Sequence, residues 1–164
     1  MFNPHILAQQ EIDRTDAIKQ ITEGMPELVR QAAAEGAVLV KNNGVLPLPN
    51  GCRVSLFSRV QYDYFYVGYG SGGDVNRPYQ VNLLNGIKEC ERLQLYEELS
   101  NTYVEWSKKN PINHGEWGTW PFYYPDMHLE KSLAEKAKQN SDVAIITIGR
   151  SSGEDRDAHL EKGS

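Results

Sequence analysis

The sequence predicts an α/β fold, a three-layer sandwich with a mainly parallel sheet. Short apolar runs rich in β-branched residues alternate along the chain with helical patterns. The most apolar run, residues 143–148, has the composition of a strand that is buried on both faces. Strands that alternate with helices form βαβ units, whose strands are parallel and covered by helices. The 164 residues, 40% of them apolar, suffice for one domain with a buried core.

The order of the elements follows from local signals. Pro26 suits a first helical turn and Gly36 can end a helix, so a helix is predicted between them. The stretch Asn42-Asn43-Gly44 is typical of a turn, because Asn and Gly tolerate positive φ. The other predicted elements are strands over residues 37–41, 53–58 and 143–148, and helices over residues 81–92, 95–109 and 129–139.

The boundaries of the domain are predicted from changes in composition. Residues 1–26 are polar and are expected to form an N-terminal arm or helix, and residues 27–164 are expected to form part of one α/β sandwich. Nothing after residue 148 covers the next edge of the sheet, so we expect the sheet to be incomplete at its C-terminal end and the natural polypeptide to continue. An unpaired edge also predicts that the isolated fragment self-associates, as a possible homo-oligomer, or is only marginally stable.

Composition argues against several classes of partner. Lys and Arg number 17 against 22 acidic residues, the formal charge is −5, and no basic block is present, so no nucleic-acid partner is expected. No apolar run approaches the length that spans a membrane, and charged residues near the N-terminus do not fit a signal peptide. We therefore expect a cytoplasmic protein without a membrane partner.

Neither a metal nor another cofactor is expected. Cys52 and Cys90 have no partner at metal-ligand spacing, so two buried, reduced thiols are predicted. The four histidines are scattered and lack spacing such as HExxH.

The acidic run after the last predicted strand, GRSSGEDRD, is the first candidate for chemistry. Cleavage of a glycosidic bond commonly uses two carboxyl groups, one of which donates a proton to the leaving oxygen. Glu154 suits the donor if its surroundings raise the pKa of its carboxyl, and Arg156 and Asp157 suit contacts with substrate. The alternative is a solvated acidic loop.

Two irregular stretches lie where a parallel sheet places its ligands, beyond the carboxyl ends of strands. The first, GYGSGGDVNRP, contains Ser71 and Asp74 as candidate substrate contacts, but it lacks GxGxxG spacing and the Lys-Ser/Thr of a P-loop. Its alternative role is a flexible turn, with Asp74 or Asn76 capping the following helix.

The second stretch, PINHGEWGTWPFYYP, is rich in aromatic residues. Trp117 and Trp120 offer flat apolar surface on which a sugar ring could lie. Because Gly and Pro interrupt the run, a loop packed at the edge of the domain is an equally good interpretation.

Four blocks stand in a recognisable order along the chain. They are RQAAAEGAVLVKNNGVLPLP, YGSGGDVNRPYQVNLLNGIKE, the Trp-rich loop ahead of an acidic helix, and SDVAIITIGRSSGEDRD. Together they resemble glycoside hydrolase family 3. The resemblance covers roughly residues 27–164 and is to the family's second, sandwich domain. It implies an active site shared with a (β/α)8 barrel that supplies an aspartate nucleophile, and it places Glu154 where similar enzymes carry the acid/base glutamate.

The function that this resemblance implies is part of a retaining exo-β-glycosidase, similar to a β-glucosidase, with an oligosaccharide or β-glycoside as substrate. The chain contains no barrel, no Lys-His motif and no Ser-Asp-Trp segment, so alone it is expected to be inactive. The closeness of Met1 to the sandwich domain suggests the reversed domain order of some bacterial members. The alternatives are a non-catalytic carbohydrate-binding or interaction module and a flavodoxin-like nucleotide binder.

Overall fold

The computed structural model describes residues 21–66, 69–70, 79–115 and 119–154. The chain divides into two compact units, of which the first includes the described residues 21–47 and 79–80 and the second includes the others. The elements are α1 (Met25–Gly36), β1 (Cys52–Phe57), α2 (Leu83–Lys88), β2 (Leu93–Leu95), α3 (Glu97–Lys109), α4 (Lys131–Asn140) and β3 (Val143–Ile146), with a 3-10 turn, Arg59–Gln61, after β1.

The first unit contains the predicted helix and the predicted turn. Helix α1 has Pro26 in its first turn and ends at Gly36, which confirms both signals. In the turn, the Asn42 side-chain oxygen accepts hydrogen bonds from the backbone N–H of Gly44 (3.0 Å) and Leu46 (3.1 Å). Gly44 has φ +89°, so the turn uses the conformational freedom of glycine as predicted.

The prediction of a strand over residues 37–41 is wrong. This stretch has no regular structure, and the side chains of Val38, Leu39 and Val40 are 81%, 61% and 91% exposed. A strand needs a neighbour for its N–H and C=O groups, and within the described residues the sheet is made by β1, β2 and β3 alone. The prediction failed because apolar, β-branched residues favour a strand, but their presence does not show that a neighbouring strand is available for pairing.

The second unit is built on a parallel sheet in the order β2-β1-β3. Val54, in the central strand, lies opposite Leu95 on one side and Val143 on the other. Val54 and Leu56 are fully buried. The predicted α/β class and parallel sheet are confirmed, and the sheet is open.

Helices α3 and α4 pack on the face of β1 that carries Phe57. Leu99 and Tyr103 of α3 and Ala137 of α4 form the buried cluster against which Phe57 packs. The Ser55 hydroxyl donates to the Ser141 hydroxyl (2.8 Å), which donates in turn to the Ala137 carbonyl (2.7 Å). A short polar relay therefore ties β1 to the end of α4 beside the apolar cluster.

Strand β3 differs from its prediction in length and in burial. It ends at Ile146 and was expected to be buried on both faces, yet Ile146 is 69% exposed and Ile148 is 85% exposed. Its only neighbour among the described strands is β1, so β3 forms an edge of the sheet. An apolar run indicates burial only where other elements cover it.

Two predicted helices begin later than expected. Residues 93–95 form β2, so the helix predicted from Leu95 starts at Glu97, because a three-residue strand is too short to show a period. The helix predicted over residues 81–92 is limited to α2. The Asn82 side-chain oxygen caps it by accepting from the Asn85 N–H (2.8 Å). Asp74 and Asn76, the residues predicted to cap it, lie outside the described residues.

Both cysteines are free thiols, as predicted, although Cys90 is only half-buried. In the part of the chain that the structure describes, no helix is long and apolar enough to cross a bilayer.

An ion pair joins the beginnings of β1 and β3. The Arg53 guanidinium donates to both Asp142 carboxylate oxygens (2.6 and 3.2 Å), and the Arg53 backbone N–H donates to the same carboxylate (3.0 Å). The side-chain hydrogen bond from Arg53 is the main reason that the pKa of Asp142 lies below its ordinary value. Both side chains are about half exposed.

Replacing Asp142 with Asn should make the stability of the chain less dependent on pH. A carboxyl whose pKa is lower in the folded state contributes stability above its unfolded pKa of about 3.9, and this contribution is lost as pH falls through the folded value. The urea midpoints of Asp142→Asn and the unsubstituted chain should therefore differ at pH 7 and converge near pH 2. Glu91→Gln, at an exposed site, is the control, and an equal difference at both pH values would contradict the prediction.

Leu99→Ala should lower the free energy of unfolding by about 2–5 kcal/mol, because truncating a fully buried leucine loses apolar contact and leaves a cavity. Urea denaturation measures the loss. Leu28→Ala, at a side chain that is 60% exposed, should change stability by about 0.5 kcal/mol or less. Similar losses in the two variants would show that α3 is not part of the core.

Candidate active site

The structure describes two of the predicted site residues, Glu154 and Trp120. The other candidates lie outside the described residues. They are Arg156, Asp157, Ser71, Asp74 and Trp117.

Glu154 lies on a strip that pairs with the beginning of the glycine-rich stretch. The Tyr69 N–H donates to the Ser152 carbonyl (2.7 Å), and the Glu154 N–H donates to the Tyr69 carbonyl (3.3 Å). Tyr69 and Gly153 thereby form a parallel β-bridge. The glycine-rich stretch and the acidic run, both predicted to be functional loops, lie about 80 residues apart in the sequence. The structure brings them into direct contact.

Gly70 lies directly beside the Glu154 side chain. Its φ is +119°, a conformation that residues with a side chain rarely adopt. A Cβ atom placed on Gly70 would be 2.9 Å from Glu154 Oε2 and 3.0 Å from Glu154 Cγ. The glutamate therefore occupies space that any other residue at position 70 would fill.

An aromatic cluster surrounds the Tyr69 side chain. The Tyr69 ring stacks on Trp120, with centroids 5.6 Å apart and planes 11° apart. Its hydroxyl is 3.3 Å from the Tyr124 hydroxyl and 3.5 Å from His114 Nδ1. Phe65 stacks on Tyr124 at 3.9 Å. Tyr69 thus covers one ring face of Trp120. Trp120 therefore has a packing role in the domain, in addition to any contact with a ligand.

Tyr124 is the buried member of this cluster. Burial is the main cause that raises the pKa of Tyr124 well above its ordinary value, and the hydrogen bond with Tyr69 adds to it. The phenol therefore stays protonated at neutral pH and keeps a proton for hydrogen bonding.

The aromatic loop, which is the Trp-rich stretch of residues 111–125 described at 111–115 and 119–125, is bonded to the strip that carries Glu154, residues 151–154. The Ser151 N–H donates to the Phe122 carbonyl (2.8 Å), and the Ser151 hydroxyl donates to the Pro121 carbonyl (2.5 Å). The strip is therefore in contact with Tyr69 and with the aromatic loop through separate hydrogen bonds.

Arg59, which was not among the predicted site residues, binds both ends of the aromatic loop. It is 2% exposed, and its guanidinium donates to the Asp63 carboxylate (2.8 Å) and to the carbonyls of Pro125 and Asn110 (2.9 Å each). It also lies 5.0 Å from the ring centre of Trp106. No motif marks such an arginine, because apart from Asp63 its partners come from distant parts of the sequence.

The backbone just before Arg59 is in an unusual conformation. Ser58, at the carboxyl end of β1, has φ +78° and ψ 145°. The Gln61 side-chain amide donates to the carbonyls of Leu56 (3.1 Å) and Ser58 (2.9 Å), which helps to fix this bend. Such a conformation costs about 1–3 kcal/mol and persists only where surrounding contacts impose it.

A cleft of about 620 Å³ opens beside the aromatic loop. Aromatic rings and prolines supply its apolar wall, and side-chain amides and a hydroxyl supply polar groups, a combination that suits a sugar. Its lining includes Arg59, Trp106, Asn110, Asn113, Thr119 and Trp120. No group of three or more potential metal ligands occurs among the described residues.

Residues 37–162 match the family model described as the glycosyl hydrolase family 3 C-terminal domain. The chain belongs to glycosyl hydrolase family 3. The resemblance found in the sequence is thereby confirmed, and the match covers the β1–β3 sheet, the aromatic loop and the strip with Glu154.

Curated relatives of this family 3 chain carry one activity in their names. A beta-glucosidase of Ruminococcus albus is 39% identical over 139 residues, which is 84% of this chain and 15% of the relative. Beta-glucosidase A of Butyrivibrio fibrisolvens is 36% identical over 130 residues, 78% of this chain and 15% of the relative. The chain therefore spans about 15% of the length of these relatives.

Solved structures show the same fold. A beta-glucosidase from Paenibacillus barengoltzii is 44% identical with a TM-score of 0.82, over 87% of this chain and 16% of that one. Beta-glucosidase 3B from Thermotoga neapolitana, in complex with alpha-D-glucose, is 34% identical with a TM-score of 0.73, over 84% of this chain and 19% of that one.

In this family 3 chain, Arg59→Met should lower the free energy of unfolding by about 3–5 kcal/mol, because it leaves the partly buried Asp63 carboxylate and two carbonyls without their donor. Arg59→Lys keeps the charge but lacks the planar fork, so it should lose stability as well. Urea denaturation measures both variants. Arg92→Met, at an exposed arginine, is the control, and a loss at Arg59 no larger than at Arg92 would refute the role given to the buried guanidinium.

Proposed function

We propose that this chain is part of a retaining exo-β-glycosidase, similar to a β-glucosidase, that hydrolyses terminal β-linked sugars. It contributes the acid/base loop and substrate-contacting loops to a site shared with a (β/α)8 barrel of the same polypeptide. Family membership and the names of the relatives support the activity. The observation that carries the assignment within this chain is the placement of Glu154, whose backbone N–H donates to the Tyr69 carbonyl and whose side chain lies beside Gly70.

In the proposed reaction, Glu154 acts twice. In the first step a carboxylate of the barrel attacks the anomeric carbon, the bond to the aglycone oxygen breaks, and Glu154 gives that oxygen its proton. In the second step water attacks the glycosyl-enzyme, the bond to the carboxylate breaks, and Glu154 takes the proton from the water. Each step needs Glu154 at a defined distance from the oxygen, which a carboxyl on an anchored strip can provide.

The remaining site residues have proposed roles as substrate contacts. Arg156 and Asp157 stand two and three positions after Glu154, and Ser71 follows Gly70, so the sequence places all three close to the described pair. Asp74 and Trp117 belong to the same two stretches, and Trp120 lines the cleft beside the aromatic loop. We further propose a cytoplasmic location, no nucleic-acid or membrane partner and no cofactor, on the grounds of composition.

Substitutions of Glu154 in the full-length protein should separate the two steps. With Glu154→Gln, kcat/KM should fall about 10²–10⁴-fold on aryl β-glucosides whose phenol departs poorly, because the proton donor is lost. For strongly acidic phenols kcat/KM should change little, since their departure needs no proton. With Glu154→Ala, which leaves room for a small anion, azide should restore kcat on those activated substrates and yield a glycosyl azide.

Glu91→Gln is the matched control, because it removes one carboxylate at an exposed position and should leave activity unchanged. Unchanged activity of Glu154→Gln on both classes of substrate would place the proton donor elsewhere. Binding of oligosaccharides without any turnover by the full-length protein would instead favour the non-catalytic module.

A further inference from the structure

We propose that Gly70 is a positioning residue for the Glu154 carboxyl. The absence of a side chain at position 70 leaves the space in which the Glu154 side chain lies, and the neighbouring contacts prevent either backbone from moving away. This inference rests on the proposed acid/base role of Glu154 and extends it to a residue that does not itself react.

The backbone on both sides of the contact is anchored. Tyr69, next to Gly70, is hydrogen-bonded through its N–H to Ser152 and through its carbonyl to Glu154. The strip that carries Glu154 is bonded again through Ser151, whose N–H and hydroxyl donate to the carbonyls of Phe122 and Pro121. A close contact between Gly70 and Glu154 therefore cannot be relieved by separating the two segments without breaking these bonds.

The Tyr69 side chain adds a second anchor. Its ring is stacked on Trp120, and its hydroxyl lies within hydrogen-bond distance of Tyr124 and His114. Tyr124 is itself buried and stacked on Phe65. Because interiors are close-packed, a shift of Tyr69 would disturb each of these contacts in turn.

The distances leave one way to accommodate a methyl group at position 70. A Cβ atom there would lie 2.9 Å from Oε2, 3.0 Å from Cγ and 3.1 Å from Cδ of Glu154. All three atoms belong to the Glu154 side chain, so the methyl group would force the glutamate to rotate out of its present side-chain conformation, at a cost in stability. The carboxyl would then leave the position in which the strip holds it.

A displaced Glu154 carboxyl should slow the hydrolysis of some substrates more than that of others. A displacement of about 1 Å in a reacting group can cost about 100-fold in rate. Proton donation matters most where the aglycone departs poorly, so a misplaced Glu154 should impair those substrates and spare activated ones.

The kinetic test is Gly70→Ala in the full-length protein. We expect kcat/KM to fall about 10–100-fold on aryl β-glucosides with poorly departing phenols and less than about threefold on those with strongly acidic phenols. Gly51→Ala is the matched control, because Gly51 also has positive φ (+78°) but its nearest neighbour is a flexible side-chain atom at 4.0 Å. It carries the backbone cost without a contact with Glu154 and should leave the ratio of the two kcat/KM values unchanged.

Comparing Glu154→Gln, Gly70→Ala and the double variant distinguishes an error in this inference from an error in the proposed function. If Glu154→Gln shows no dependence on the leaving group, the acid/base role is wrong. If Glu154→Gln shows it and Gly70→Ala does not, or if Gly70→Ala lowers kcat/KM equally on both classes of substrate, the positioning role is wrong. If the role is right, Gly70→Ala should add little to the loss in the Glu154→Gln background, because the misplaced group is no longer a donor.

A thermal unfolding measurement tests the steric contact without any activity. Gly70→Ala should lower Tm by more in the wild-type background than in the Glu154→Ala background, where the atoms it would meet are absent. A variant that folds only in the Glu154→Ala background would also support the contact. Equal shifts of Tm in the two backgrounds would overturn the proposal.

Discussion

The buried guanidinium of Arg59 is the interaction on which the candidate site depends. A charge without solvent is tolerated only when it is paired and hydrogen-bonded, so the Asp63 carboxylate and the carbonyls of Asn110 and Pro125 must all be in place when the chain folds. The two carbonyls lie at either end of the aromatic loop. Pairing one side chain therefore closes a loop of about 15 residues against the carboxyl end of the central strand.

From this closure the contacts lead to Glu154. The closed loop presents Trp120 and Tyr124 to the Tyr69 side chain, and the Tyr69 backbone pairs with the strip that carries the glutamate. The Glu154 backbone is thus held by its hydrogen bond to Tyr69, and Tyr69 is held in turn by aromatic packing. A carboxyl that must give and take a proton at a fixed distance benefits from support of both kinds, because neither alone defines its position and orientation.

Much of this arrangement was predictable, for identifiable reasons. The helix after Pro26, the Asn42 turn and strand β1 follow from local chemistry, and the order of four sequence blocks identified the family. Residues 37–41 and the exposure of β3 were predicted wrongly because apolar composition does not say whether a neighbour is present to pair with or to cover a strand. Strand β2, with three residues, is too short to carry a periodic signal.

By itself, therefore, the sequence determined the α/β class, which rests on residue type and local spacing. Its resemblance to the family over four ordered blocks gave the family and Glu154 as the candidate acid/base. Only the tertiary structure decided what surrounds that glutamate. Arg59, Tyr69 and Gly70 owe their roles to partners that lie 50 to 85 residues away in the chain in most cases, and no local pattern encodes such a partner. The physical reason is that burial, stacking and the space left by a glycine are properties of packed segments, which exist only once distant parts of the chain have come together.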